Sequence, residues 1–250
     1  MEKASVSTPV IRIVGQGRAG GALAKGLSAA GWTVLSPLGR GDDLRDAALG
    51  IDLLVVATFD DSIAELAAQV EPVQTTVVAH LAGSLGPEVL STHERRAAIH
   101  PLMSIPNAET DLRGAWFAVA GDELANQVVE ALEGRSFTVS AEHRAGYHAA
   151  ACIAANHLVA LLGQVERVVS QANVPFEPFL DLAQSALDQV RAHGPANALT
   201  GPARRGDNKT LARHLEALDP SERASYEALV ALAKRLANSG PGSQDKEESL

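Results

Sequence analysis

Residues 10–31 read VIRIVGQGRAGGALAKGLSAAG, and the order of residue types along this stretch decides the fold. Val10 to Val14 is a short β-branched run, and Gly15, Gly17 and Gly20 follow it directly as G-x-G-x-x-G. Leu23, Leu27 and Ala30 then fall on one side of a helix until Gly31 stops it. Strand, glycine turn and helix in this order form the entry to a dinucleotide-binding unit. The first glycine permits a tight turn, the second lets a pyrophosphate approach the backbone, and the third lets helix and strand pack closely. Free N–H groups and the dipole at the helix start then attract the anion. Gly15, Gln16, Gly17, Arg18, Ala19 and Gly20 are therefore the expected cofactor turn. Two other readings of the motif are a glycine-rich turn that only packs, and a site for a methyl donor.

Working outward, further β-branched runs at 33–35, 53–58, 75–81, 98–99 and 117–119 alternate with helical patterns. That alternation predicts an α/β fold, a doubly wound Rossmann parallel sheet. Runs such as LLVVAT lack apolar/polar alternation, as expected when helices cover both faces. From about Glu142 the strands disappear and helices are expected at 144–172, 178–193, 209–218 and 221–237. Asp219, Pro220 and Glu222 supply an N-cap, a first-turn proline and an N3 carboxylate for the last of them. The chain thus divides into a dinucleotide-binding domain at 1–141, an all-α domain for substrate and dimerisation at 142–238, and a disordered tail at 239–250.

The 250 residues are 46% hydrophobic and 20% charged, as in an ordinary globular chain. With 21 basic and 30 acidic residues the net charge is −9, so no basic field exists to hold nucleic acid. The single cysteine, Cys152, makes no internal disulfide, and the sequence start lacks a secretory apolar run, so a cytoplasmic location is expected. The apolar stretch 149–162 is shorter than the roughly 20 residues that cross a bilayer and contains Asn156 and His157. It reads as a buried helix, and no membrane contact is expected. The histidines lack ligand spacing, so no metal site is expected.

In NAD-binding units a carboxylate about 20 residues beyond the first glycine takes the ribose hydroxyl. Here the second strand ends in Ser36, Pro37 and Leu38, and Arg40 follows. A hydroxyl and a guanidinium suit a 2′-phosphate, which favours NADP (NADPH) over NAD. The competing reading pairs Arg40 with Asp42 and Asp43.

Hydride chemistry on a carbonyl or imine also needs a proton donor and a group to hold the substrate's acid function. His148, Cys152 and Asn156 are four residues apart among small alanines, along one helical face. Arg205 and Asp207, in the loop GPARRGD, suit a small anionic substrate; alternatively they pair with each other or cap the next helix. His100 ends a strand, facing either the ligand crevice or a domain junction.

The stretches GQGRAGGALAKGLSAAGWTV, DLLVVATFDDSI, VVAHLAGS, HPLMSIP, YHAAACIAANHLVALL and ALTGPARRGDNKTLARHLEAL together resemble the 6-phosphogluconate dehydrogenase superfamily over nearly the whole chain. They are similar in particular to Rossmann-like predicted oxidoreductases with a C-terminal helical domain of unknown function. Pyrroline-carboxylate reductase and ketopantoate reductase are more distant likenesses. The resemblance implies that Thr58 and Phe59 lie against the adenosine half of the cofactor and that His80 approaches the nicotinamide side. Many relatives carry a proton-donating lysine one helical turn before a substrate-holding asparagine. This chain departs from them, with Cys152 before Asn156, so the proton donor expected is His148. The function so implied is an NADPH-dependent oxidoreductase of a small carbonyl or imine acid, ketopantoate-like 2-oxo acids among them. It would work as a homodimer, in a cleft between its two domains. The alternative is a non-catalytic nucleotide sensor or scaffold that kept the fold.

Overall fold

The computed structural model describes residues 8–239, so the expected tail lies outside the described residues apart from Ser239. Seven strands form one sheet: β1 Val10–Val14, β2 Thr33–Val34, β3 Leu53–Val56, β4 Val77–His80, β5 Arg96–Pro101, β6 Trp116–Gly121 and β7 Arg135–Thr138. Their spatial order is β2-β1-β3-β4-β5-β6-β7, parallel throughout except where β5 meets β6. The chain leaves β1 in one direction and returns to its other side for β3. The carboxyl ends of β1 and β3 therefore form the switch point where open α/β sheets hold their ligands.

The unbroken apolar runs have a physical cause. Leu53 and Val55 of β3 join a core with α1 (Arg18–Ala29) and α3 (Leu124–Ala131), whereas Leu54 and Val56 join a core with α2 (Asp60–Ala68) on the other face. All four are 0% exposed, and each such burial contributes about 1.5–3 kcal/mol. Strand β7 escapes the sequence reading because RSFT is a four-residue edge strand with mostly exposed side chains, too short and too polar to show a pattern.

A continuous helical stretch follows: α4 (Arg144–Cys152), a π-turn at Ile153–His157, and α5 (Leu158–Gln171). The expected buried helix at 149–162 is corrected here. Ile153 and Val159 are 59% and 67% exposed, because apolar composition alone cannot tell a core face from a face waiting for a partner. By length and composition the helix Ala141–Gln171 could cross a membrane, although it carries Arg144, Glu166 and Arg167.

By contact density the chain forms two units, Met1–Asn156 and His157–Leu250, so the first keeps α4 although strands end at β7. The second holds α5, α6 (Glu177–His193), two short helices α7 (Pro195–Ala198) and α8 (Gly201–Arg205), α9 (Asn208–Ala217) and α10 (Pro220–Asn238). Its internal tie is polar. Arg167 grips Glu222 through Nε and Nη2 at 2.6 and 3.1 Å, and Gln164 donates to the Glu222 carbonyl at 2.9 Å.

Candidate functional site

The glycine turn has the shape its sequence requires. Gly15 adopts φ +106°, and a Cβ there would lie 2.5 Å from the Ala57 carbonyl oxygen, so only glycine fits. A Cβ at Gly20 would meet the Ala57 Cβ at 2.9 Å, which is the close helix-to-strand contact. Gly17, by contrast, is exposed, and a Cβ there would come no closer than 3.9 Å to the Ala57 oxygen, leaving open backbone for a diphosphate. Helix α1 starts there with no side-chain cap and no acidic residue in its first turn, so its N–H groups and dipole are free to serve an anion.

Beside this turn the chain past β2 is held by Gly15 N–H donating to the Leu38 carbonyl at 2.8 Å. The suspected pairing of Arg40 with Asp42 and Asp43 is not formed. Asp42 instead accepts the Gly39 N–H at 2.7 Å and Asp43 accepts the Arg45 N–H at 2.9 Å. Ser36 and Arg40 both face solvent. Phe59 is 85% exposed at the start of α2, so it takes no part in the core.

A second constellation gathers around Gly83, in the loop after β4. A Cβ on Gly83 would lie 2.5 Å from His148 Nδ1 and 2.8 Å from His100 Nε2, so two imidazoles converge on one glycine. Their rings stand edge to face with centroids 5.8 Å apart. Behind them Tyr147 Oη lies 2.6 Å from His100 Nδ1, and Phe137 of β7 packs against the Tyr147 ring. Burial raises the Tyr147 pKa, so the phenol keeps its proton and shares a hydrogen bond with Nδ1. The other ring nitrogen of His100, Nε2, faces Gly83. His148 Nε2 lies 3.7 Å from Cys152 Sγ, while its Nδ1 is buried without a partner.

Burial first, and then the nearby His148 and Arg144, push the His100 pKa down to about 4. Because the folded-state value lies below the unfolded one, the stability tied to neutral His100 is fully present above pH 6.5 and is lost as pH falls toward about 4. A shift of this size corresponds to about 3 kcal/mol. His80, also lowered chiefly by burial, acts in the same direction. Urea melts between pH 7 and pH 4 are expected to show this loss, and His100→Gln to flatten it.

Other expected site residues have structural employment. His80 is 0% exposed; its Nδ1 accepts the Ala82 N–H at 3.2 Å, so its Nε2 donates to the Gly86 carbonyl at 3.0 Å. Both ring nitrogens therefore shape the 81–86 loop and none is left for a cofactor. Asp207 caps α9, accepting the Thr210 N–H at 3.1 Å, which is the alternative its loop left open; Arg205 is exposed in the helical unit. Asn156 sits exposed within the π-turn, whose extra residue per turn breaks the four-residue register set by His148 and Cys152.

Arg144 was missed. It opens α4, is 2% exposed, and donates through Nη1 to the Leu85 carbonyl at 2.9 Å. No sequence signal separates it from the surface arginines that outnumber it. Among the described residues the buried polar atoms without partners are Arg12 Nε, Thr58 Oγ1, Arg144 Nε and Nη2, and His148 Nδ1. All but the first lie just past the carboxyl end of β3 or on α4, whose His148 reaches Gly83 in the loop after β4. Clustered unsatisfied groups of this kind make this the candidate binding site. No cluster of metal-ligand type occurs among the described residues.

Comparison with known proteins agrees on the fold. Residues 116–233 match the model of a domain of unknown function, DUF2520. No protein of curated function matches the chain. Among solved structures, a protein of Bacteroides fragilis assigned as an NADP oxidoreductase is similar with a TM-score of 0.77 at 22% identity, over 92% of this chain and 100% of that one. A reductive aminase of Aspergillus terreus, solved with NADPH and ethyl levulinate, gives 0.69 at 16% identity, over 95% and 96%. Pyrroline carboxylate reductase of Plasmodium falciparum, solved with NADP, gives 0.59 at 11% identity, over 92% and 98%. At these identities the likeness is one of fold: a Rossmann-like sheet followed by a helical domain, as in these oxidoreductases.

Proposed function

We propose that this chain is an NADPH-dependent oxidoreductase that reduces a small carbonyl or imine acid. The observation that carries the reading is the Gly15–Gly20 turn. Its crowded first and last glycines, open middle glycine and uncapped helix start fit a dinucleotide diphosphate. The buried, unpartnered Thr58 Oγ1 beside Gly15 is a further polar group for the cofactor. Exposed Arg40, which is unpaired among the described residues, supplies with Ser36 the charge and hydroxyl that a 2′-phosphate needs.

A reduced nicotinamide, when bound, supplies hydride. The chain's part is the proton: His148 Nδ1, buried and unpartnered beside Gly83, is the proton donor to the developing oxyanion or amine. His100, neutral and oriented by Tyr147, presents Nε2–H to the same space and stabilises the developing charge. NADPH is expected to raise the melting temperature more than NADH does, and Arg40→Ala to erase that preference. Equal shifts by both in the parent protein would remove the NADP assignment.

The homodimer belongs to this reading. All 17 residues of α6 escape burial, with Leu180, Leu182, Leu187 and Val190 exposed. Among the described residues of the helical unit only Gln164, Val169, Leu211 and Glu222 are buried, far short of a self-sufficient core, and a second copy brings the same apolar helices to cover it. Light scattering is expected to return twice the 26.0 kDa chain mass; a monomer at micromolar concentration would refute the dimer.

A further inference from the structure

The buried edge of Arg144 points to a carboxylate receptor. In this chain the paired Nε and Nη2 edge of arginine repeatedly holds a carboxylate side-on: Arg95 on Asp122, Arg113 on Asp111 and Arg167 on Glu222. Arg144 presents the same edge, yet both nitrogens are buried and have no protein partner, while Nη1 is used by Leu85. No carboxylate of the described residues forms an ion pair with it; Glu88 acts on it only at longer range and is itself exposed. A guanidinium 2% exposed with no counter-ion is costly to maintain unless an anion is to arrive.

The carboxylates that act on this region, Asp60 and Glu88, are both exposed, and neither forms an ion pair with Arg144. Asp60 accepts a hydrogen bond from Ser84 at 2.7 Å, and burial favours the neutral forms of His80 and His100. Arg144 holds the Leu85 carbonyl, two residues from the Gly83 on which His100 and His148 converge, and Tyr147 and His148 lie one turn along its own helix. One cation with one free bidentate edge, beside a proton-donating imidazole, matches a small molecule with a single carboxylate near its reacting carbon.

We propose that Arg144, through Nε and Nη2, binds the carboxylate of a small monocarboxylic substrate in the Gly83 pocket, the role expected of Arg205 and Asp207. Both nitrogens are covered, so the acid must uncover this edge as it binds. This inference rests on the oxidoreductase reading for the identity of the pocket but not for the presence of an anion site.

The test compares acids with their uncharged twins on NADPH-loaded protein. Pyruvate is set against pyruvamide, and pyrrole-2-carboxylate against pyrrole-2-carboxamide, by saturation-transfer NMR and titration. Each acid is expected to bind at least tenfold more tightly than its amide. Arg144→Gln should abolish that margin while keeping the NADPH-induced melting shift, and Arg144→Lys should restore part of it. Equal binding of acid and amide, no binding of either acid to the parent protein, or an undiminished margin in Arg144→Gln would each overturn the proposal. Inorganic phosphate competing as strongly as the acids would also overturn it, in favour of a general anion site. Should Arg144→Gln fail to fold, the acid-to-amide margin of the parent protein decides alone. Failure of NADPH to bind would sink the oxidoreductase reading instead, and the same acid and amide titrations on the bare protein would still judge Arg144.

Discussion

Gly17→Val is expected to melt like the parent protein and to lose NADPH. The backbone at Gly17 is extended, with φ −79° and ψ −179°, a conformation a β-branched residue adopts readily. A Cβ there meets nothing closer than 3.9 Å, so the folded state should change by no more than about 0.5 kcal/mol. The added side chain nevertheless stands where a diphosphate must approach the first N–H groups of α1. Affinity for NADPH should fall on the order of 100-fold, since an anion held by backbone donors tolerates little displacement. Gly15→Ala is the contrasting control. Its φ of +106° and a Cβ 2.5 Å from the Ala57 oxygen strain the fold itself, at a cost of about 1–3 kcal/mol. A Gly17→Val protein that still binds NADPH with parental affinity would remove the glycine turn from the cofactor site, and the proposed function with it.

Gly83→Ala should abolish most turnover while sparing cofactor binding. The new methyl would lie 2.5 Å from His148 Nδ1 and 2.8 Å from His100 Nε2, so at least one imidazole must swing away. Imidazole rings yield more easily than backbone, and the stability cost should stay near the 1–3 kcal/mol typical of overpacking. Turnover of the best substrate among 2-oxo acids and cyclic imines should drop by roughly 10²–10⁴-fold, the range a general acid supplies. His148→Gln should show a loss of the same order. Combining the two should cost little more than either alone, because both remove one proton-donating unit. Additive losses would mean that Gly83 acts through something other than the histidine pair. Unchanged turnover in His148→Gln would take the proton-donor role from it.

The parts of the site legible in the sequence are those where backbone geometry demands a particular residue. Gly15 and Gly20 could be read because no other residue fits a left-handed turn or a 2.9 Å approach to Ala57, and the β-branched runs because a sheet covered on both faces excludes polar alternation. Arg40 could be nominated by its spacing, but only the loop geometry released it from Asp42 and Asp43. Side-chain duties chosen by distant partners were less legible. His80 and Asp207 have the right chemistry for ligands, yet Ala82, Gly86 and Thr210 engage them, and Asn156 lies in a π-turn whose register the four-residue spacing could not foretell.

What the sequence by itself determined is the doubly wound sheet, the helical second half and the phosphate-binding turn, since local sterics and periodicity act over a few residues and leave their mark in the order of residue types. Only the tertiary structure decided the convergence of His100, Tyr147, His148 and Arg144 around Gly83, as well as the exposure of the apolar faces of α5 and α6. Those facts depend on contacts between residues as much as 59 positions apart and on which surfaces find no partner within the chain, and neither is encoded in any short window.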